Sequence, residues 1–457
     1  MVKNILKTAL LFVVFSALVC ALFACGNGGE VSPQIVAEEI PESGEISTAG
    51  HLVWLSNRVN GGERFFGRDF TLVNDIDLLG IEWIPMGSGT ATQYIDALYV
   101  DAELDYGNYF AGNFNGNGKK ITNFKITKEY EYVGFFGRNA GTIENLAISD
   151  FFINVDANHG IEGISDEWEQ GRNMIMVFAG GIAGRNYGII DNCSSNGDIK
   201  ISVKNVGRHS FAVAGGIVAA NWVTGTIKNS HSLGSVQSFA DVESVSAGIA
   251  GGNYGNILNC YANGDITALT HSDAYAGGLV SRNHGTVKDS HATGNVKALI
   301  QKQLRFNSSS FAGGLMAGNW SSGIIDNCYA LGEVTASGGV NAFAGGLTGE
   351  CAGKIYNSRA EGNVLSEAGI NAVAGGFSGT FNSWSEEKSA LIENCNAFGN
   401  ATAHGSMRAY AGGFVGFLEG AFSIVRDSYA HGSAEANALE GDTYQDPWIA
   451  FVRIIEY

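Results

Sequence analysis

One segment recurs along most of this chain of 457 residues. Its pattern is close to AGG(I/L/F)xGxN, followed after a short gap by GxIxN(C/S)xAxGx(I/V). The second glycine of the pattern marks eight clear copies at steps of 30 to 37 residues, after a degenerate copy at Gly134: Gly181, Gly216, Gly248, Gly278, Gly314, Gly346, Gly376 and Gly413. Units of this length cannot bury an apolar face alone and stack on their neighbours, so the pattern predicts a solenoid of about nine coils.

Each copy alternates as a strand does. In CYANGDIT, residues 260–267, Cys260, Ala262, Gly264 and Ile266 are small or apolar and the residues between them are polar or amphipathic. This period of two is typical of a strand with one buried face. An Asn or Asp, a residue type that tolerates bends, occupies the bend before this strand in every copy: Asn145, Asn192, Asn229, Asn259, Asp289, Asn327, Asn357, Asn394 and Asp427.

The residues two before the Cys or Ser position indicate that one copy forms one coil. If successive copies are successive rungs, opposite charges meet on the outer surface, and each such pair contributes roughly 0.2 to 1 kcal/mol. The pairs are Asp191 with Lys228, Lys288 with Asp326, and Glu393 with Arg426.

The Cys or Ser position alternates strictly: Cys193, Ser230, Cys260, Ser290, Cys328, Ser358, Cys395 and Ser428. With adjacent rungs about 4.8 Å apart, successive cysteines lie about 9.6 Å apart, beyond the roughly 4.4 to 6.8 Å that a disulfide spans between Cα atoms. We therefore predict a buried ladder of small residues. If two copies formed one coil instead, the cysteines would be neighbours and could form disulfides.

The first 24 residues are typical of an export signal, with two lysines before the apolar run ALLFVVFSALVCALFA. Residues 22–25, LFAC, resemble the lipobox of bacterial lipoproteins, which implies that Cys25 is acylated and becomes the new N-terminus. We expect a lipidated tether at 25–45 and a location at the outer membrane or cell surface. The alternative is an ordinary cleaved signal with an incidental cysteine. A formal net charge of -18 argues against nucleic acid as a partner.

The repeats are similar to a known family. AGGIAGRNYGIIDNCSSNGDI at 179–199 and AGGLMAGNWSSGIIDNCYALGEV at 312–334 resemble the GLUG motif of bacterial surface proteins, found in stalks of immunoglobulin-A-cleaving metallopeptidases and in adhesin-like proteins. The resemblance covers about 46–435 and implies an all-β, right-handed parallel β-helix. We assign 46–130 to an N-terminal cap and first coils, 131–435 to GLUG-type repeats, and 436–457 to a C-terminal strand or cap. The motif Asn of the earlier copies is replaced by Cys351, Phe381 and Leu418 in the later ones.

Motifs of catalysis and metal binding are missing from the sequence. It contains no HExxH, GxSxG, P-loop or CxxC pattern, so we predict no enzyme activity, cofactor or metal site. Asp75 and Asp77 suggest a calcium site or carboxylate pair, but we interpret them as polar positions alternating with inward Ile76 and Leu78.

A column of rings is the candidate binding site. The residue after the motif Asn is aromatic or His in five successive copies: Tyr187, Trp222, Tyr254, His284 and Trp320. In register, these rings form a strip about 19 Å long, and flat rings offer apolar area to sugars or to partner side chains. The alternative is a mutually stacked column that only stiffens a turn. The same two readings apply to a second column: His231, Tyr261, His291, Tyr329 and Arg359.

Three functions are compatible with these features. We favour an adhesin-like binding protein, anchored to the membrane by lipid, that recognises a glycan or a host or matrix protein. The alternatives are a structural spacer without its own ligand and a polysaccharide lyase or hydrolase of the β-helix type.

Overall fold

The computed structural model describes residues 34–88, 107–158, 175–204, 210–301, 307–383, 385–439, 441–446, 448–449 and 452–453. The predicted signal peptide, Cys25 and most of the predicted tether lie outside these ranges. The compact unit that contains the repeats runs from Ile35 to Tyr457.

The repeats form a parallel β-solenoid, as predicted, in which each copy contributes one coil. Within a coil the chain passes through four ladders, named ladders 1 to 4 in chain order, and all strand pairs recorded in the described residues are parallel. Ladders 1, 2, 3 and 4 contain 10, 10, 12 and 18 described strands.

Ladders 1 and 2 form the first half of each coil. Ladder 1 comprises Tyr132–Val133, Ile175–Gly180, Ser210–Gly215, Glu243–Ala247, Asp273–Gly277, Ser309–Gly313, Asn341–Gly345, Asn371–Gly375, Arg408–Gly412 and Asp442–Asp446. Ladder 2 comprises Phe136–Asn139, Ala183–Asn186, Val218–Asn221, Ala250–Asn253, Val280–Asn283, Met316–Asn319, Thr348–Cys351, Ser378–Asn382, Val415–Glu419 and Val452–Arg453. The last strands of ladders 1 and 2 lie in 436–457, so this segment adds strands to both ladders.

Ladders 3 and 4 complete each coil. Ladder 3 comprises Glu45–Ile46, Asp69–Leu72, Asn113–Asn115, Thr142–Glu144, Ile189–Asp191, Thr226–Lys228, Asn256–Leu258, Thr286–Lys288, Ile324–Asp326, Lys354–Tyr356, Ala390–Glu393 and Ser423–Arg426. Ladder 4 comprises Ile76–Glu82, Lys120–Ile126, Ala147–Asn158, Ser194–Lys204, His231–Ser232, Val236–Ala240, Tyr261–Ala262, Ile266–Thr270, His291–Ala292, Val296–Ile300, Tyr329–Ala330, Val334–Ser337, Arg359–Ala360, Val364–Ala368, Asn396–Ala397, Ala401–Gly405, Tyr429–Ala430 and Ala434–Ala438.

The predicted charge pairs confirm the register of one coil per copy. Asp191 pairs with Lys228 in ladder 3, and Lys228 Nζ lies 3.1 Å from Asp191 Oδ2. The other two pairs also form, with nitrogen–oxygen distances of 3.3 Å and 2.8 Å: Lys288 with Asp326, and Arg426 with Glu393. In each pair the basic side chain is exposed and the acidic one is partly exposed, so each pair contributes little to stability on its own.

The motif glycine is required by close approach between coils. A Cβ placed on Gly278 would overlap the backbone carbonyl oxygen of Gly314, the equivalent residue on the next coil. Gly314 stands in the same relation to Gly346, and Gly346 to Gly376. Only glycine lets the coils stack at this corner, which explains why the position returns unchanged in each clear copy.

The bend before ladder 4 is a left-handed residue in every copy. The nine Asn or Asp residues predicted at the bend have φ values between 49° and 54°. This region is costly for most side chains, but Asn and Asp visit it readily. The bend therefore selects its residue type through backbone conformation.

The described part of the chain is not wholly β. An α-helix, Ala49–Asn60, was missed by the sequence analysis, and a short 3₁₀ helix spans Glu386–Lys388. Thr48 caps the α-helix, because its Oγ1 accepts a 3.2 Å hydrogen bond from the His51 backbone N–H. Leu52, Leu55 and Val59 recur at helical spacing and are fully buried in the core.

Candidate functional site

The structure brings the five predicted binding residues together in one column. They follow the ladder 2 strands, whose register places Asn186, Asn221, Asn253, Asn283 and Asn319 on successive rungs. The ring centroids from Tyr187 to Trp320 are separated by 6.2, 4.9, 4.8 and 6.0 Å. The column therefore has the continuity that the sequence predicts.

A buried ladder of asparagine side chains supports this column. From Asn139 to Asn283, each Nδ2 donates to the Oδ1 of the asparagine on the next coil at 2.8 to 2.9 Å. All six side chains are fully buried: Asn139, Asn186, Asn221, Asn253, Asn283 and Asn319. Buried amides are tolerated only when they are hydrogen-bonded, so this chain of bonds fixes the backbone directly beneath the rings.

The ladder ends where the motif changes, but the coils continue. Asn319 Nδ2 points to the Cys351 sulfur at 3.8 Å, and Cys351, Phe381 and Leu418 succeed one another in unbroken ladder 2 register. Cys351 and Phe381 are completely buried. Apolar packing thus replaces the amide ladder in the last coils.

The rings of the column stack from Tyr254 to Trp320, whereas Trp222 meets Tyr187 and Tyr254 at interplanar angles of 62° and 53°. Tyr254 and His284 are nearly parallel, with an interplanar angle of 4°. Trp222 is only 9% exposed, and the other four rings are half-buried. Burial, with a smaller contribution from the Arg282 charge, lowers the pKa of His284, so its ring stays neutral near neutral pH. Between Tyr254 and Trp320 the column therefore presents ring edges to the outside.

The second column is also stacked, on ladder 4. His231, Tyr261, His291 and Tyr329 have interplanar angles of 2° to 8°, and the Arg359 guanidinium lies 4.4 Å from the Tyr329 ring centre. Burial lowers the pKa of His231 and of His291. Neutral imidazoles stacked on phenol rings make this surface of the solenoid stiffer.

A third column, on ladder 1, was missed by the sequence analysis. Tyr275, Phe311 and Phe343 stack at 4.9 Å between centroids. Arg282 from ladder 2 lies 3.9 Å over Tyr275 and forms a 2.9 Å ion pair with Glu243. The sequence signal was present, because the residue immediately before AGG is aromatic or valine in each of these copies.

The other candidate residues have structural roles. Asp75 Oδ1 accepts a hydrogen bond from Lys120 N, and Asp77 Oδ1 accepts one from Asn123 Nδ2, so both carboxylates tie adjacent coils together. Ile76 and Leu78 point inward as predicted. Among the described residues, no group of three or more His, Cys, Asp or Glu side chains could hold a metal ion.

The five described cysteines are free and buried: Cys193, Cys260, Cys328, Cys351 and Cys395. Burial raises the pKa of each thiol to about 12. On alternate rungs a serine hydroxyl accepts the cysteine's backbone N–H, as Ser230 Oγ does from Cys193 at 3.0 Å. These thiols are compact core groups.

The ladders and the outer columns define a parallel β-solenoid built from sequence repeats. Residues 179–200 match the model of the GLUG motif. A protein of Evansella cellulosilytica that is named as a Gly-rich membrane protein is 30% identical over 183 residues, covering 38% of this chain and 16% of that relative. The chain thus matches only a small part of the relative's length.

A Bacteroides ovatus protein that is named as an immunoglobulin A1 protease aligns with 90% of this chain and 83% of its own, at 16% identity and a TM-score of 0.34. Within the described residues, no helix has the length and apolar character needed to cross a bilayer.

Proposed function

We propose that this protein is an adhesin-like binding protein displayed at the bacterial surface, where it recognises a glycan or a protein ligand. The observation that carries the proposal is the column of five rings on five adjacent coils, with centroid separations of 4.8 to 6.2 Å. A strip of aromatic edges with polar atoms suits an elongated ligand, because aromatic side chains combine apolar area with hydrogen-bonding groups.

Export and anchoring rest on the N-terminal sequence. The apolar run and the LFAC sequence at 22–25 support signal cleavage and acylation at Cys25. The relative named as a membrane protein is consistent with an outer membrane or cell-surface location. A lipid at Cys25 would leave the solenoid as the part that meets partners.

The partner is not nucleic acid in this proposal, and no catalytic step or cofactor is involved. With 27 Lys and Arg against 45 Asp and Glu, the chain lacks the excess of positive charge that phosphate backbones require. A neutral glycan or a protein with a basic patch suits this charge.

A spacer without its own ligand is the second candidate. It is favoured by the mutual stacking of the rings, since Tyr254 and His284 cover each other's faces at 4.8 Å. A spacer would use the columns only to stiffen the rod.

A binding screen with matched variants separates the two candidates. The protein is screened against glycans and matrix proteins, and Trp222, Tyr254 and Trp320 are then replaced together by alanine. A true binding column loses about tenfold or more in affinity. The control replaces His231, Tyr261 and Tyr329 by alanine, which removes a stack of similar size from ladder 4 and should leave affinity within about twofold. Equal effects of the two variants contradict the assigned site, and a folded protein without any ligand favours the spacer.

A further inference from the structure

The aromatic column stops at Ala352, which leaves a gap one ring deep. Ladder 2 register places Cys351 above Asn319, so Ala352 follows Trp320 in the column. The next member is Asn382, because Phe381 lies above Cys351. Rungs are about 4.8 Å apart, so the Trp320 and Asn382 positions lie about 9.6 Å apart, and the column residue between them, Ala352, has only a methyl side chain.

Trp320 has one ring face that no other ring covers. His284 lies against one face, with centroids 6.0 Å apart, and it is the one ring or guanidinium recorded against Trp320 in the described residues. The indole also lies along ladder 2, because a Cβ built on Gly318 would be 3.4 Å from Trp320 Cζ2. The column residue on the other side is Ala352, so no ring of the column covers the second indole face.

Polar groups border this gap on its inner and far sides. Glu350 occupies the rung above Gly318, and its Oε1 accepts a 3.0 Å hydrogen bond from Asn382 Nδ2. Burial raises the pKa of the Glu350 carboxyl, and the hydrogen bond from Asn382 opposes that rise. An amide and a part-buried carboxylate are thus held together next to the rung where the column lacks a ring.

We infer that the Ala352 gap is a carbohydrate subsite that takes one pyranose ring of a neutral β-linked glycan with glucose configuration. One C–H face of the sugar lies on Trp320, and its hydroxyl groups bond to Glu350 and Asn382. The inference rests on the proposed binding function and specifies the ligand of that site.

The chemistry of the gap selects this sugar. In the glucose configuration the hydroxyls are equatorial, so both faces of the ring expose C–H groups that pack on an aromatic face. The ring edge carries hydroxyls that can pair with the carboxylate and the amide, which are costly to bury without partners. A uronic acid would place a second negative charge beside Glu350, so acidic glycans are disfavoured.

The test uses the purified full-length protein with cellohexaose as the probe, measured by titration calorimetry. Ala352→Tyr is the decisive variant, because its ring fills the gap and can stack on Trp320 as the rings below already do. It should unfold at the wild-type temperature or higher while binding cellohexaose at least about tenfold more weakly. Trp320→Ala should weaken binding to a similar extent, and Glu350→Gln by about threefold or more.

Controls fix the site and the sugar. Tyr261→Ala removes a ring of the second column, stacked between His231 and His291, and should change cellohexaose affinity by less than about twofold. Maltohexaose, with α-linkages, and hexagalacturonate, with carboxylates, should bind more weakly than cellohexaose.

Three results overturn the inference in distinguishable ways. Wild-type affinity in Ala352→Tyr places the sugar elsewhere. A second result is that the wild type instead binds a protein or an acidic glycan, with binding abolished when Trp222, Tyr254 and Trp320 are replaced but unchanged in Ala352→Tyr. That result contradicts the subsite and leaves the proposed function intact. A wild-type protein that binds none of the screened ligands removes both.

Discussion

Asn221 donates a 2.9 Å hydrogen bond from its Nδ2 to Asn253 Oδ1 on the next coil, and neither side chain has exposed surface. Asn253 in turn donates to Asn283 at 2.8 Å. Each interior member of the ladder is both donor and acceptor. Removing one asparagine side chain therefore leaves a buried carbonyl oxygen without its donor on one side and a buried amide N–H without its acceptor on the other side.

Replacing Asn253 by alanine tests this ladder. Asn283 Oδ1 loses its donor and Asn221 Nδ2 loses its best acceptor, so we expect a loss of about 1 to 3 kcal/mol in the free energy of unfolding. Urea unfolding followed by circular dichroism measures the change. The matched control, Asn256→Ala, alters an exposed residue on the same coil and should stay within about 0.5 kcal/mol. Equal shifts for the two variants would contradict a stabilising contribution of the buried amide hydrogen bonds.

The left-handed bend gives a second prediction. Asn259 has φ of 52°, a conformation that a β-branched side chain adopts at a cost of about 1 to 2 kcal/mol. Asn259→Val should lower stability by that amount. Asn259→Gly should cost much less, since glycine tolerates positive φ and loses only an exposed 2.9 Å hydrogen bond to Asn229. Thermal unfolding of the two variants side by side decides the matter, and the bend requires no special residue if Val and Gly behave alike.

Much of this fold could be predicted because like residues lie above like in a solenoid. The opposite charges of Asp191 and Lys228 indicated the register of adjacent coils directly. The same spacing predicted that a serine rung separates successive ladder cysteines. The site was predictable to the same extent, since the spacing alone placed Trp222 next to Tyr254.

What could not be predicted depends on side-chain torsions and on non-repeating sequence. Spacing places His284 above Tyr254, but only the side-chain rotamers decide that their faces cover each other and leave edges exposed. The α-helix at Ala49–Asn60 occurs once, so no repeat reported it, although Thr48 and the spacing of Leu52, Leu55 and Val59 are ordinary helix signals. The recurring Asn was visible in the sequence, but the sequence did not show that its side chain is buried and hydrogen-bonded to the next coil.

Two glycines on neighbouring coils provide a third prediction. Ala at Gly278 would overlap the Gly314 carbonyl oxygen and approach Ala292 Cβ at 2.8 Å, so we expect a loss of about 1 to 3 kcal/mol or more from overpacking. Gly252 is the control, because a Cβ there meets only Tyr254 Cε2 at 3.6 Å. Gly252→Ala should be neutral or raise stability by up to about 1 kcal/mol, since alanine restricts the unfolded chain. The two urea midpoints should therefore move apart, and a common shift would contradict the close stacking of coils at the motif glycine.

The buried thiols predict a loss of stability at alkaline pH. Burial raises the pKa of Cys260 from an ordinary 9.0 to about 12, so the folded state keeps the thiol neutral while the unfolded chain ionises. A raised folded-state pKa means that the contribution is complete below about pH 9 and is lost progressively as the pH rises towards about 12. Between pH 9 and pH 10 this thiol lowers the free energy of unfolding of the wild type by about 1 kcal/mol. Cys260→Ser, which introduces the residue found on alternate rungs, should lack this part of the loss. Tyr275, whose pKa burial also raises, titrates in both proteins and cancels in the comparison. Urea midpoints of wild type and variant at pH 7, 9 and 10 measure the difference, and parallel pH profiles would show that the Cys260 thiolate is tolerated inside the solenoid.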